Sequence, residues 1–232
     1  MKQIAIYVEG GGDTAQQRAE LRNGFDRLLG EWKQAARAKH LRWKLVPSGG
    51  RDAAYKDFIN AVKHAGEGTF CVLLVDSEEG LPPESFVAAD ETQEQSKQRK
   101  LTDARARLDH LARRDKWDLA DIPPERVHLI VQCMETWIVA DPERMAVVYG
   151  KNFHPERLPV RHDLEEEPKL SVHSKLAKAT KDTAKGEYSE ENHSKIKHAS
   201  KLLEKIRADR VAARCPRFAT FTRWIGAKIA EA

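Results

Sequence analysis

The strongest constraint on the fold is an uninterrupted apolar segment at residues 70–75, which ends in the polar sequence Asp76-Ser77-Glu78. A short segment that is apolar at every position is typical of a central strand in a parallel sheet, because both faces of such a strand are buried. Further strand-like segments lie at 4–8, 41–46 and 127–131. Helical spacing follows the first two of these strands. The alternation predicts an α/β fold, with a mostly parallel sheet flanked by helices and joined by right-handed crossovers.

The length of 232 residues fits one domain with additions better than two large domains. We place an α/β domain at 1–150 and a basic, helical C-terminal extension at 151–232, packed on that domain. A charged insertion interrupts the α/β domain at about 84–126. Within the insertion, residues 93–114 are compatible with a solvated helix and the rest with loops, so we expect the insertion to be mobile.

Charge is unevenly distributed along the chain. The formal net charge is +4, yet residues 169–232 alone carry 15 lysines and arginines against 7 acidic residues. Such a block suits a polyanion such as nucleic acid, although a helix with a solvated lysine face has the same composition. No apolar run approaches the roughly 20 residues of a membrane helix and no signal-peptide pattern is present, so we expect a cytoplasmic protein that does not enter a membrane.

Acidic residues follow three of the four predicted strands. Glu9 follows the first, Asp76 and Glu78 follow the third, and Glu135 lies a few residues beyond the fourth. The carboxyl ends of parallel strands meet at one edge of the sheet, where ligands bind. Clustered carboxylates repel one another unless a cation compensates them, and Mg²⁺ or Mn²⁺ fits such oxygen ligands and activates water for attack on a phosphate. Side chains two apart on an extended chain point the same way, which pairs Asp76 with Glu78. The alternative is a polar loop after a buried strand.

Two neighbouring features each have two interpretations. The glycines at 10–12 either let the backbone approach a phosphate or form a tight turn before a helix capped by Asp13 or Thr14. Glu135 is either a further carboxylate that binds metal or positions a nucleophile, or a buried acid paired with an arginine such as Arg51.

The remaining conspicuous residues favour structural roles. Trp137 lies among apolar residues and is interpreted as a core side chain rather than a base-stacking one. Asp141 precedes a proline, as a helix cap does. The three cysteines are widely spaced, which favours buried thiols over disulfides or a zinc site, and none of the nine histidines has convincing metal-pair spacing.

Four segments resemble the domain of unknown function 4276 family, and the resemblance covers nearly the whole chain. They lie at 8–13, 48–52, 74–78 and 131–142. The most specific is the last, with its Met-Glu-x-Trp-x-x-Ala-Asp-Pro core, which is also similar to the Phe-Glu-x-Trp element of RloB-like proteins. The resemblance implies a TOPRIM-like, Rossmann-like fold, in which a glutamate after the first strand and an Asp-x-Asp pair after the third bind the metal. Glu9, Asp76 and Glu78 match these places, with Glu78 where the second aspartate would stand.

Such proteins are often encoded beside SMC-like ATPases in bacterial anti-phage defence systems, which leads to two functional hypotheses. The first is a Mg²⁺- or Mn²⁺-dependent nuclease, acting on DNA or RNA, in which Glu9, Asp76 and Glu78 bind the metal and Glu135 assists catalysis. Its nucleic-acid backbone contacts are predicted at Arg51, Lys169, Lys185, Lys195 and Lys201. The second is a non-catalytic TOPRIM-like adaptor that binds an SMC-like or AAA-type ATPase through its C-terminal helices.

Overall fold

The computed structural model describes residues 2–81, 92–189 and 194–232, except for the side chains of 194–197. Its four strands are β1 (Gln3–Val8), β2 (Arg42–Pro47), β3 (Thr69–Asp76) and β4 (Val127–Ile130). They form one sheet in the order β2-β1-β3-β4, and every pairing is parallel. The predicted α/β fold with a parallel sheet is therefore confirmed, and the apolar segment at 70–75 is an interior strand.

Helices connect and cover the strands. They are α1 (Ala15–Leu28), α2 (Gly30–Ala38), α3 (Arg51–Lys63), α4 (Gln93–Asp115), α5 (Met134–Ile138), α6 (Pro142–Tyr149), α7 (Lys169–Thr180), α8 (Ser194–Leu203), α9 (Ala208–Arg214) and α10 (Pro216–Ala230). Short 3-10 helices occur at Pro124–Arg126, Pro155–Arg157 and Leu164–Glu166. No helix within the described residues is long and apolar enough to cross a membrane.

Both faces of the sheet are buried in hydrophobic clusters. Val72 and Leu74 of β3 face a large cluster that also contains Phe218 and Ile225 of α10. The alternate β3 residues face a smaller cluster, which includes Phe58 of α3. Helix α10 thus packs in the same core as the central strands, although it lies more than half the chain away from them in sequence.

The charged insertion contributes a helix, as predicted, but α4 is not solvated on all sides. Asp103, Arg107 and His110 are all at most 5% exposed. Arg217 of α10 binds Asp103 at 2.8 Å and Glu165 at 3.1 Å. The prediction of a solvated helix is wrong for this face, because its charged side chains find partners inside the protein instead of in water. The part of the insertion at 84–91 lies outside the described residues.

Several local predictions are confirmed. Thr14 caps α1, with its hydroxyl accepting a hydrogen bond from the backbone N–H of Gln17. Asp141 caps α6, accepts from the backbone N–H of Arg144, and also binds Arg207. Trp137 is fully buried, with its ring edge-on to that of Phe218. Cys71, Cys133 and Cys215 are free, buried thiols.

Candidate functional site at the carboxyl edge of the sheet

Glu9 and Asp76 lie at the same edge of the sheet because they end neighbouring parallel strands. Val8 of β1 pairs with Leu74 of β3, and the Glu9 N–H donates to the Leu74 carbonyl at 3.3 Å. The turn after β2 reaches the same edge, where the Gly49 and Gly10 backbones exchange hydrogen bonds of 2.7 and 3.0 Å. We call the edge that carries Glu9, Asp76 and Glu78 the acidic edge.

Arg51, the first residue of α3, ties the acidic edge together. One terminal nitrogen, Nη1, donates to Glu9 Oε2 at 3.1 Å and also to the backbone carbonyl of Asp76. Its Nε and Nη2 donate to the two carboxylate oxygens of Asp115 at 2.8 and 2.7 Å. Arg51, predicted to contact a nucleic-acid backbone, is thus held by protein acceptors in this structure.

Glu78 reaches the acidic edge in a way that the sequence argument did not foresee. β3 ends at Asp76, and Glu78 has a left-handed φ of 67°. The extended chain assumed for the Asp76-x-Glu78 pair therefore stops before Glu78, and that part of the argument is wrong. Its backbone N–H donates to the Gln132 carbonyl at 2.8 Å, and its carboxylate forms an ion pair with the Lys169 ammonium.

The electrostatics of the acidic edge differ from one carboxylate to the next. Burial raises the pKa of Glu9, as does the nearby negative charge of Glu78, whereas the Arg51 guanidinium opposes the rise. Burial also acts to raise the pKa of Asp115, but the hydrogen bonds and charge of Arg51 outweigh it and the pKa of Asp115 is lowered. Arg51 therefore binds one carboxylate with a lowered pKa, Asp115, which Arg114 also contacts, and a second, Glu9, with a raised pKa.

Glu135 is fully buried beside the acidic edge rather than exposed on it. The Tyr188 hydroxyl donates to its Oε1 at 2.7 Å, and His173 Nε2 lies 3.4 Å from its Oε2. The interpretation as a buried acid fits, but pairing with Arg51 is wrong, because Arg51 binds Glu9 and Asp115 instead.

A buried thiol accompanies Glu135. Cys133 Sγ lies 3.6 Å from the same His173 nitrogen. Burial, and then the negative charges of Glu135 and Asp76, raise the pKa of the Cys133 thiol well above its usual value. With no cation bound, Cys133 is therefore protonated at neutral pH.

Of the predicted nucleic-acid lysines, Lys169 contacts the acidic edge directly. Lys169 is bound to Glu78. Lys185 and Lys201 are exposed, after α7 and near the end of α8 respectively. The side chain of Lys195 lies outside the described residues.

The glycines at 10–12 form a turn. All three have positive φ, and added Cβ atoms at Gly11 and Gly12 would meet Arg18 and Gln17 at 3.1 and 2.5 Å. The Gly10 N–H is already bound to Gly49. The interpretation as a tight turn with a Thr14 cap therefore explains these glycines, whereas the Gly10 amide is not available to a phosphate.

Sequence reasoning missed three residues near the site. Asp115 gave no signal, since it is one of many charges in the insertion. Tyr188 lies on a segment remote in sequence from Glu135. His173 had a signal: it follows Lys169 by four residues, so both lie on one face of α7.

The fold and site define a parallel α/β protein with carboxylates at the carboxyl edge of its central strands. The chain belongs to the domain of unknown function 4276 family, whose model matches residues 8–226. A search of the curated proteins and one of the solved structures found no match.

Proposed function

We propose that this protein is a TOPRIM-like, Mg²⁺- or Mn²⁺-dependent phosphodiesterase that cleaves DNA or RNA, with Glu9, Asp76 and Glu78 as metal ligands. The observation that supports it best is that a single nitrogen of Arg51 bonds both to the Glu9 carboxylate and to the Asp76 backbone. The contact brings the Glu9 carboxylate close to the end of β3, which supports a cation shared between the two strand ends. A role as the effector of an anti-phage system, with an SMC-like or AAA-type ATPase partner, belongs to the same proposal.

The donor chemistry fits a hard divalent cation. All three proposed ligands are carboxylates, which Mg²⁺ and Mn²⁺ prefer. The raised pKa of Glu9 indicates that its negative charge is incompletely compensated by Arg51. When bound, the cation would polarise a phosphate oxygen and activate water.

The chain's own residues have distinct tasks in this proposal. Arg51 orients the Glu9 carboxylate and fixes it against the end of β3. Lys169 neutralises Glu78 until a phosphate arrives and then transfers its hydrogen bond to a phosphate oxygen. Lys185 and Lys201 hold the nucleic-acid backbone without reading its sequence.

A nuclease assay on a variant of the acidic edge tests the proposal. Purified protein is incubated with plasmid DNA and transfer RNA in Mg²⁺ or Mn²⁺, with a chelator as blank. Asp76→Ala should reduce cleavage to the blank, because it removes a metal ligand. Asp57→Ala, at an exposed position of α3, is the matched control and should leave cleavage unchanged. Equal cleavage by the two variants would show that these carboxylates are not the site.

The alternative function is a non-catalytic adaptor that binds an ATPase partner. The observation in its favour is that Glu9 and Glu78 each already have a basic partner, in Arg51 and Lys169. In this alternative, the two ion pairs stabilise these carboxylates without a metal.

Salt-titrated nucleic-acid binding separates the two functions. Reversing the charge of Lys185, Lys195 and Lys201 should flatten the slope of log affinity against log salt by roughly 0.7 to 0.9 for each lost phosphate contact. Lys39→Glu with Lys63→Glu is the control pair, because α2 and α3 end at the opposite edge of the sheet. The adaptor function predicts an unchanged slope in the triple variant, together with loss of ATPase binding in a pull-down.

A further inference from the structure

A second group of potential metal ligands lies beside the acidic edge and is chemically different from it. Cys133 caps the N-terminus of α5, Glu135 lies in its first turn, and His173 comes from α7. Their sulfur, oxygen and nitrogen donor atoms all lie within 4.8 Å of one another. Helices α5 and α7 thus bring the three donors together, although Cys133 and His173 are 40 residues apart in sequence.

Both distances from the His173 nitrogen to the other two donors match a tetrahedral zinc site. Cys133 Sγ and Glu135 Oε2 lie 3.6 and 3.4 Å from His173 Nε2. Zinc bond lengths of about 2.3 Å to sulfur and about 2.0 to 2.1 Å to nitrogen and oxygen place tetrahedral ligands roughly 3.3 to 3.6 Å apart. Each of these two donor pairs could therefore share one zinc ion.

The same distances argue against a nucleophile relay. In a Cys–His–acid relay the thiol and the carboxylate contact different ring nitrogens, so that the imidazole can pass a proton between them. Here both contact the same nitrogen, His173 Nε2. Convergence on a single ring nitrogen is the arrangement of three ligands around one ion.

The surroundings of the three ligands suit an ion. The Tyr188 hydroxyl donates to Glu135 Oε1 at 2.7 Å, which fixes the carboxylate with Oε2 toward His173. Metal ligands are commonly oriented by such outer hydrogen bonds. Cys133 and Glu135 are buried, whereas the His173 side chain is 22% exposed and links the group to the surface.

We propose that Cys133, Glu135 and His173 bind a Zn²⁺-type transition-metal ion, with Tyr188 as a positioning residue that orients Glu135. Thiolate and imidazole select such ions over Mg²⁺, so this site is separate from the carboxylate site proposed above and does not depend on it. Binding releases the Cys133 thiol proton to solvent. Three protein ligands leave a fourth position for water or another donor. The ion joins α5 to α7 and so attaches the C-terminal region to the end of β4.

Cobalt provides the test. The metal-free full-length chain is titrated with Co²⁺, and we expect one equivalent to bind with an absorption band from thiolate-to-cobalt charge transfer, which Zn²⁺ abolishes and Mg²⁺ does not. Cys133→Ala should remove the band. Cys71→Ala is the matched control, since Cys71 is equally buried but lies on β3 in the other hydrophobic cluster, and it should keep the band.

A milder variant guards against misfolding of Cys133→Ala. Tyr188→Phe keeps all three ligands and should weaken Co²⁺ binding by about 10- to 100-fold while retaining the charge-transfer band and the one-to-one stoichiometry. A wild-type titration without a thiolate band would overturn the proposal. So would a band that survives in Cys133→Ala, or a Tyr188→Phe variant that binds Co²⁺ as tightly as the wild type.

Discussion

Replacing Arg51 with methionine removes the side chain that joins the ends of β1 and β3 to the charged insertion. Methionine keeps much of the aliphatic volume but none of the four hydrogen bonds that Arg51 donates to Asp115, Glu9 and the Asp76 carbonyl. It also removes the cationic group that lies 5.1 Å from the ring centre of Trp117. Asp115 and Glu9 keep their charge but lose their main partner.

The expected loss of unfolding free energy lies between two limits. Removing one partner of a fully buried ion pair costs about 3–5 kcal/mol, and an exposed pair contributes about 0–1 kcal/mol. The side chains of Arg51, Asp115 and Glu9 are 13%, 9% and 24% exposed, nearer the buried limit. Arg114 stays within 2.5 Å of Asp115 and offsets part of the loss. We therefore expect Arg51→Met to lower the free energy of unfolding by about 2–3 kcal/mol.

Urea unfolding followed by circular dichroism measures this loss. The control is Arg22→Met, because Arg22 donates one hydrogen bond of 3.0 Å to the neutral carbonyl of Leu45. Its unfolding free energy should fall by only about 1 kcal/mol. Equal losses of unfolding free energy in the two variants would refute the claim that the Arg51 ion pairs stabilise the fold more than an ordinary hydrogen bond does.

The same comparison has a pH dependence with a defined sign. In the folded protein the pKa of Asp115 is lowered, because the effect of Arg51 exceeds the opposing effect of burial. The stabilisation by this pair is therefore present above the ordinary carboxyl pKa, and it is lost as the pH falls through the lowered pKa of folded Asp115. The gap in stability between wild type and Arg51→Met should therefore narrow in acid. A gap that widens as pH falls would contradict the assigned pairing.

Two further predictions concern the buried ion pairs of Arg217 and the titration of Glu9. Arg217→Met should lower the unfolding free energy by about 3–5 kcal/mol in the same assay, because Arg217, Asp103 and Glu165 are all at most 5% exposed. The control is Arg210→Met, which removes an exposed ion pair with Glu143 and should lower the unfolding free energy by less than about 1 kcal/mol. Mg²⁺ affinity measured by calorimetry should fall as pH drops toward the raised pKa of Glu9, since protons then compete with the metal. An affinity that is constant down to the ordinary carboxyl pKa would exclude Glu9 as a ligand.

The sheet was predictable because its strands are short, mostly apolar segments that alternate with helices. The segment predicted at 70–75 differs from β3, Thr69–Asp76, by one residue at each end. The buried face of α4 was not predictable in this way. Its sequence is as rich in charged residues as that of a solvent-exposed helix. Asp103 is nevertheless buried, where it binds Arg107 of the same helix and Arg217, 114 residues further along the chain.

The site also combines features that were predictable from the sequence with features that were not. That Glu9 and Asp76 share an edge follows from parallel pairing alone, and the register of β1 and β3 agrees with it. The partners of Glu9 and Glu78 come from elsewhere in the chain. Arg51 begins the third helix after β1, and Lys169 begins a helix 91 residues after Glu78. Side-chain pairing over such separations depends on tertiary packing, which a single sequence does not encode in any local pattern.

The left-handed backbone at Glu78 has opposite consequences for stability and for the proposed function. A non-glycine residue with φ near 67° carries a conformational cost of about 1–2 kcal/mol that glycine does not. The partly exposed ion pair with Lys169 returns about 0–1 kcal/mol. If folding alone governed this position, glycine or asparagine would be preferred to glutamate. A library of position-78 variants ranked by thermal stability should therefore place Gly above Glu, and a selection for the protein's activity should invert that order.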